Sequence, residues 1–144
     1  ALIGHMGAWP ARPIQKAAAK LYSKPALLES YFDELDQRIA ERMSALQDGL
    51  RELSQYGVSF VEPEGGIYLS TRFDLFGLLG VQSNEEIREW LLQNAGVAIV
   101  PFQAFGLEED TGWFRISVGA VSAADIIAAM ERLESALMTA SGHE

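Results

Sequence analysis

The chain has 144 residues, enough for one domain to bury a hydrophobic core without disulfides or metal ions. It contains no cysteine and only two histidines, His5 and His143 at opposite ends, which argues against a thiol nucleophile and against a metal site. Its 11 basic and 20 acidic residues give a net charge of −9, so nucleic acid is not expected as a partner.

The first ten residues, Ala1–Pro10, are largely apolar and begin without an initiator methionine. Such a start is typical of the middle of a protein, and we expect the sequence to be a piece of a longer chain. No apolar run approaches the roughly 20 residues that span a bilayer. We therefore expect a soluble, cytoplasmic protein with no membrane partner.

Two helices are predicted in the first part of the chain. Residues Pro13–Leu21 are compatible with a helix that breaks before Pro25. A longer helix then begins at Pro25 and ends before Gly57. Its apolar residues recur at steps of three and four and form one stripe: Leu28, Phe32, Leu35, Ile39, Met43, Leu46, Leu50 and Leu53. We expect this stripe to pack as core against a sheet, and we do not interpret it as a cofactor-binding segment.

Strands and helices alternate in the rest of the chain. Strands are predicted at Val58–Val61, Ile67–Arg72, Val97–Val100 and around Trp113–Val118. Ser83 and Ser122, each followed three residues later by a carboxylate, predict the starts of two helices. This order predicts an α+β fold, in which a small and mostly antiparallel sheet is covered on one side by helices, with one long N-terminal helix.

The last predicted strand carries an arginine. Alternation places Phe114, Ile116 and Val118 on one face and Trp113, Arg115 and Ser117 on the other. A guanidinium on an open sheet face can hold a carboxylate through two parallel hydrogen bonds. The alternative is an ordinary ion pair with one of the many acidic residues, and the strand by itself leaves both interpretations open.

Three segments in this order resemble the C-terminal small domain of fold-type I pyridoxal-phosphate enzymes, the class I/II aminotransferases. Glu64–Leu69 resembles the family's Gly-Gly-Phe/Ile-Tyr strand. Asn94–Pro101, followed by Phe105-Gly106, resembles its Gly-Val-x-Val-x-Pro-Gly-x-x-Phe-Gly segment, although Phe102 replaces the glycine after the proline. Phe114–Gly119 resembles its Arg-Ile-Ser strand. The resemblance covers nearly the whole chain.

The resemblance implies roles for particular residues. Arg115 is expected to bind the α-carboxylate of the substrate. His5 stands near the position where the family has an arginine that binds the cofactor phosphate. Trp9, Phe102 and Phe105 are possible pocket residues, although each is more often a packing residue. The lysine that binds pyridoxal phosphate is expected outside this chain, so no catalytic residue is assigned within it, and Lys16, Lys20 and Lys24 are interpreted as solvated helix charges.

The resemblance also implies an organisation and an activity. Residues 1–24 would form the end of the large domain and the crossover to the small domain, and residues 25–144 would form the small domain. The parent enzyme would be a homodimeric transaminase acting on an amino acid and a 2-oxo acid, whereas the piece without its large domain would be inactive. Alternatives are another pyridoxal-phosphate reaction on the same fold (decarboxylation, elimination or acyl-CoA condensation), a stand-alone carboxylate-binding module, or an oligomerisation module.

Overall fold

The computed structural model describes residues 10–142 of the chain. These residues form two compact units, with the division between Arg38 and Ile39. The first unit holds helix α1, Arg12–Tyr22, and the start of helix α2, which runs Pro25–Glu52 and continues into the second unit. A proline near the start of each helix suits the first turn, where its missing N–H removes no helical hydrogen bond. Both predicted helices are confirmed.

The apolar stripe of α2 is buried only in its second half. Met43, Leu46 and Leu50 are buried, whereas Phe32 is 51% exposed and Leu35 is 36% exposed. In residues 10–38 the chain forms only α1 and the beginning of α2, and no side chain there is buried. A helix face needs a second layer of structure to cover it. The prediction that the whole stripe is core is therefore wrong for its first part, Leu28–Leu35.

The second unit contains a small sheet and the helices packed on one of its faces. A 3-10 turn, Leu53–Tyr56, follows α2 and ends at Gly57. The later elements are β1 (Val58–Phe60), β2 (Tyr68–Phe73), α3 (Phe76–Leu79), α4 (Asn84–Ala95), β3 (Val100–Pro101), a second 3-10 turn (Phe102–Phe105), β4 (Trp113–Ser117) and α5 (Ala123–Ala140).

The sheet has the strand order β1-β2-β4-β3, and each neighbouring pair is antiparallel. In its centre, Ser70 of β2 lies opposite Arg115 of β4, and Tyr68 lies opposite Ser117. Residues that lie opposite each other in a ladder share one face of the sheet. Val100 of the edge strand β3 lies on the other side of Arg115. The predicted α+β class with a small antiparallel sheet is confirmed.

The core lies between one face of the sheet and helices α2, α4 and α5. Phe73 and Phe114 are fully buried there, and their rings pack edge to face with centres 5.8 Å apart. Each of the three helices adds a fully buried leucine: Leu50, Leu91 and Leu133. Trp113 and Arg115, on either side of Phe114 in sequence, are half-buried on the opposite face. The alternation predicted along β4 is confirmed.

Helices α4 and α5 begin where the sequence predicts. Ser83 caps α4 and Ser122 caps α5, each through a capping box. In each box the serine hydroxyl accepts from the backbone N–H three residues later, and the carboxylate of that residue accepts from the serine N–H. The bonds satisfy amides that the first helical turn leaves without a partner. Helix α4 ends at Ala95, followed by Gly96, within the segment Asn94–Gly96 where the sequence predicts its end.

The third strand is shorter than predicted. Only Val100 and Pro101 pair with β4, so the prediction of a strand over Val97–Val100 is wrong except at its last residue. The backbone N–H of Val97 donates to the Leu91 carbonyl over 3.2 Å, which folds the chain around the end of α4. This amide is therefore engaged by the helix and not by a neighbouring strand. Helix α3 and the 3-10 turn at Phe102 have no counterpart among the predicted elements.

Candidate functional site

Arg115 lies in the middle of β4, on the face of the sheet that α2, α4 and α5 do not cover. Its guanidinium carbon is 4.2 Å from the centre of the Tyr68 ring and 4.0 Å from the centre of the Phe105 ring. Both distances are well within the roughly 6 Å at which a cation is attracted to an aromatic ring. The charge of Arg115 is therefore held against two aromatic side chains.

Arg115 differs from the other arginines of the second unit in its polar contacts. Arg51, Arg72 and Arg88 form ion pairs with carboxylates. Arg42 and Arg132 donate to backbone carbonyls. Within residues 10–142, Arg115 has neither kind of partner. The ion pair that the sequence left open as the alternative is thus not found in the described part of the chain, and the N–H groups of Arg115 have no protein acceptor there.

The aromatic surroundings of Arg115 extend beyond the two rings that touch it. Phe102 packs with its ring centre 6.3 Å from that of Phe105 and 6.2 Å from that of Trp113. The 3-10 turn Phe102–Phe105 thus brings aromatic side chains to the same face as Arg115. Phe105 itself remains 52% exposed and Tyr68 48% exposed. The arrangement is an open surface with a cation among aromatic rings.

A buried asparagine joins this turn to the rest of the unit. The amide of Asn84, at the first residue of α4, donates to the side-chain oxygen of Gln103 over 2.9 Å and to the Trp113 carbonyl over 3.4 Å. Its carbonyl oxygen accepts from the backbone N–H of Gly112 over 2.8 Å. Asn84 is fully buried. It therefore fixes the turn that carries Phe105 to the strand that carries Arg115.

The carboxyl groups with shifted pKa values lie at helix starts. Hydrogen bonds from the Gln82 backbone N–H and the Ser83 hydroxyl lower the pKa of Glu86. The Ser122 hydroxyl and backbone N–H lower the pKa of Asp125, and Arg88 lowers that of Glu85. These shifts belong to the helix caps and to a surface ion pair, and none of these groups contacts Arg115.

The predicted site residues are only partly brought together. Phe102 lies in the aromatic cluster near Arg115, next to Phe105. His5 and Trp9 lie outside the described residues. Sequence reasoning did not identify Tyr68 or Asn84 as neighbours of the site. Alternation does place Tyr68 on the same face of β2 as Ser70, but only the strand register shows that this face meets Arg115.

Across residues 10–142, no three histidine, aspartate or glutamate side chains are grouped so that they could hold a metal ion. No helix in this range is both long and apolar enough to cross a membrane. A groove of about 600 Å³ lies between α2 and α5, lined by Gly49, Met130 and several carboxylates, and contains none of the predicted site residues.

The sequence profile of the family described as "Aminotransferase class I and II" matches residues 3–133. An aspartate aminotransferase of Pyrococcus horikoshii is 33% identical over 105 residues, which cover 73% of this chain and 25% of that protein. An aspartate aminotransferase of Pyrococcus abyssi is 32% identical over 133 residues, covering 89% of this chain and 30% of that protein.

A solved structure supports the same likeness. The aspartate aminotransferase of Rhizobium meliloti superposes with a TM-score of 0.61 at 30% sequence identity, over 74% of this chain and 27% of that one. The chain thus spans between 25% and 30% of the length of these relatives.

Proposed function

The chain belongs to the aminotransferase class I and II family, and from this premise we propose that it is the small C-terminal domain of a pyridoxal-phosphate-dependent aminotransferase of fold type I. In this proposal Arg115 binds the α-carboxylate of the substrate. The observation that carries the proposal is the unpaired guanidinium of Arg115 on the open face of the sheet. Every other arginine of residues 39–142 has an anionic or carbonyl partner.

The chemistry of the guanidinium fits this role. It is planar and permanently charged, and its N–H groups match the two oxygens of a carboxylate. A substrate held in this way has its Cα–H bond fixed relative to the reacting groups, which lowers the entropic part of the barrier. Arg115 thus acts by binding and orienting the substrate, and it moves no proton itself.

Pyridoxal phosphate would supply the electron sink for amino transfer, but the described residues alone do not fit it. The cofactor needs a lysine amine, and the sequence has no lysine after Lys24. Lys16, Lys20 and Lys24 are exposed in the first unit. The cofactor lysine is therefore assigned to a part of the enzyme outside this chain.

The remaining assignments of the proposal concern the whole enzyme. Residues 1–24 form the end of the large domain and the crossover to the small domain, and residues 25–144 form the small domain. Trp9 and Phe102 contribute to the pocket, and His5 lies near the cofactor phosphate. The enzyme is a cytoplasmic homodimer that transfers an amino group between an amino acid and a 2-oxo acid. The chain without its large domain is inactive.

The proposal is tested on the complete protein encoded by the reading frame that contains this chain. We expect the purified protein to show a visible absorbance band when it is loaded with pyridoxal phosphate. Addition of an L-amino acid substrate converts this band to that of the amine form of the cofactor, and a 2-oxo acid restores it. A panel of amino acids identifies the donor. Absence of a band while carboxylates still bind would favour the stand-alone carboxylate-binding module, whereas a band that no amino acid converts to the amine form would favour another pyridoxal-phosphate reaction on the same fold.

A further inference from the structure

We propose that Tyr68 and Phe105 are positioning residues that hold the guanidinium of Arg115 in the orientation needed to receive a carboxylate. This inference rests on the proposed function, since it concerns the same arginine. It assigns a role to Tyr68, for which the sequence predicted none, and a definite contact to Phe105, which the sequence indicated only as a possible pocket residue. It also explains how an arginine without a protein anion partner can remain ordered on an open sheet face.

The first observation is the contact itself. The guanidinium carbon lies 4.2 Å from the centre of the Tyr68 ring and 4.0 Å from that of Phe105. A cation is attracted to the negative face of an aromatic ring, and a flat guanidinium also stacks on it. A ring stacked on the face of a guanidinium leaves the N–H edges free, and a carboxylate binds those edges in the guanidinium plane. The two kinds of contact are therefore compatible.

The second observation is that the two rings come from separate, independently fixed elements. Tyr68 lies on the central strand β2, opposite Ser117 and one diagonal step from Arg115, whose own partner is Ser70. Phe105 is the last residue of the 3-10 turn that ends at Gly106. The buried Asn84 holds this turn through Gln103. Neither ring therefore depends on the other for its position.

The physical consequence is preorganisation. A free arginine side chain has many rotamers, and binding a ligand to it carries the entropic cost of selecting one. Rings that already confine the guanidinium remove part of this cost before the ligand arrives. At the exposure of these two rings, the loss of one contact corresponds to a weakening of carboxylate binding by about 2- to 5-fold.

The experiment uses the complete enzyme and side-chain NMR of Arg115, with succinate as the carboxylate probe at fixed ionic strength. In the absence of succinate, the side-chain resonances of Arg115 are expected to carry ring-current shifts from both rings. Tyr68→Leu and Phe105→Leu should each remove part of this shift and raise the succinate Kd about 2- to 5-fold. Tyr68→Phe keeps the ring and should retain the wild-type shift and Kd.

Phe60→Leu is the matched control, because the Phe60 ring lies 5.5 Å from the Arg51 guanidinium and not at Arg115. It should leave the Arg115 resonances and the Kd unchanged. Backbone spectra establish that each variant is folded. If the wild-type enzyme binds succinate and all variants bind it equally, the positioning role is overturned and the proposed function stands. If succinate does not move the Arg115 resonances of the wild-type enzyme, the carboxylate role of Arg115 fails, and the positioning role fails with it.

Discussion

The side-chain amide of Asn84 donates to the side-chain oxygen of Gln103 over 2.9 Å, and this bond links the start of α4 to the turn that carries Phe105. Asn84 is one of the few polar side chains of the second unit that is fully buried. Its oxygen also accepts from the Gly112 backbone N–H. Asn84 thus connects the 3-10 turn Phe102–Phe105 to Gly112, the residue just before β4.

We expect Asn84→Ala to destabilise the chain. The substitution leaves the buried Gly112 N–H and the half-buried side-chain oxygen of Gln103 without these partners. A buried group without a partner costs about 1–3 kcal/mol. Urea unfolding measures the loss in the free energy of unfolding. Asn94→Ala serves as the control, because the Asn94 amide bonds to the Trp90 carbonyl at an exposed position, and a change within about 0.5 kcal/mol is expected. Equal losses in the two variants would contradict the assigned role of Asn84.

Gly112 is predicted to tolerate no side chain. Its φ is +77°, and an added Cβ would lie 2.7 Å from the Phe73 carbonyl oxygen. Gly112→Ala combines this clash with the cost of a left-handed conformation, which is about 1–2 kcal/mol by itself. Gly106 has a φ of +94° and no atom within 4 Å of the added Cβ. Gly106→Ala should therefore show the conformational cost alone, and thermal unfolding should rank Gly112→Ala as clearly the less stable variant.

Thr71 offers a substitution that should not destabilise. Its hydroxyl is buried on the inner face of β2 and has no hydrogen-bond partner among the described residues. Replacing it by the methyl group of valine removes a desolvated hydroxyl while keeping the shape, a change that ranges from neutral to stabilising by about 1 kcal/mol. We expect Thr71→Val to have an unchanged or raised Tm. Thr71→Ala, which leaves a small cavity, should lower it.

The sequence predicts the local features of this fold better than its long-range ones. The helix starts at Ser83 and Ser122 depend on side chains within three residues of each other, and these are visible in the sequence. The strand order β1-β2-β4-β3 and the pairing of Ser70 with Arg115 depend on contacts between distant segments. For this reason the sequence indicated Arg115 and, as a possible pocket residue, Phe105, but neither Tyr68 nor the contact of the two rings with the guanidinium. Likewise, burial of Leu28 could not be judged from periodicity, because periodicity does not show what covers a helix face.

The capping box of α5 predicts a pH effect of definite sign. The Ser122 hydroxyl lowers the pKa of Asp125 in the folded chain. The carboxylate therefore stabilises the fold fully above the ordinary aspartate pKa, and this contribution is lost as the pH falls through the lowered pKa. NMR titration should place the midpoint of Asp125 below the ordinary value, and Ser122→Ala should raise it. A midpoint that Ser122→Ala does not change would rule out the hydroxyl as the cause.

If Arg115 binds the substrate carboxylate, its removal should slow the reaction of an amino acid but not that of the corresponding amine. In the complete enzyme, kcat/KM is measured for an amino acid and for the amine that lacks its carboxylate, in the wild type and in Arg115→Ala, with Arg88→Ala as the surface control. A hydrogen bond to a charged group contributes about 1.5–3 kcal/mol, so Arg115→Ala should lower kcat/KM for the amino acid about 10- to 100-fold. Arg115→Lys should restore little, since lysine lacks the planar fork.

For the amine, we expect nearly equal kcat/KM values in the wild type and in Arg115→Ala, because the amine has no carboxylate for Arg115 to bind. Arg88→Ala should leave both substrates unaffected. Carboxylate binding by Arg115 would be contradicted if Arg115→Ala had the wild-type kcat/KM for the amino acid. It would also be contradicted if the substitution lowered kcat/KM by the same factor for the amino acid and for the amine.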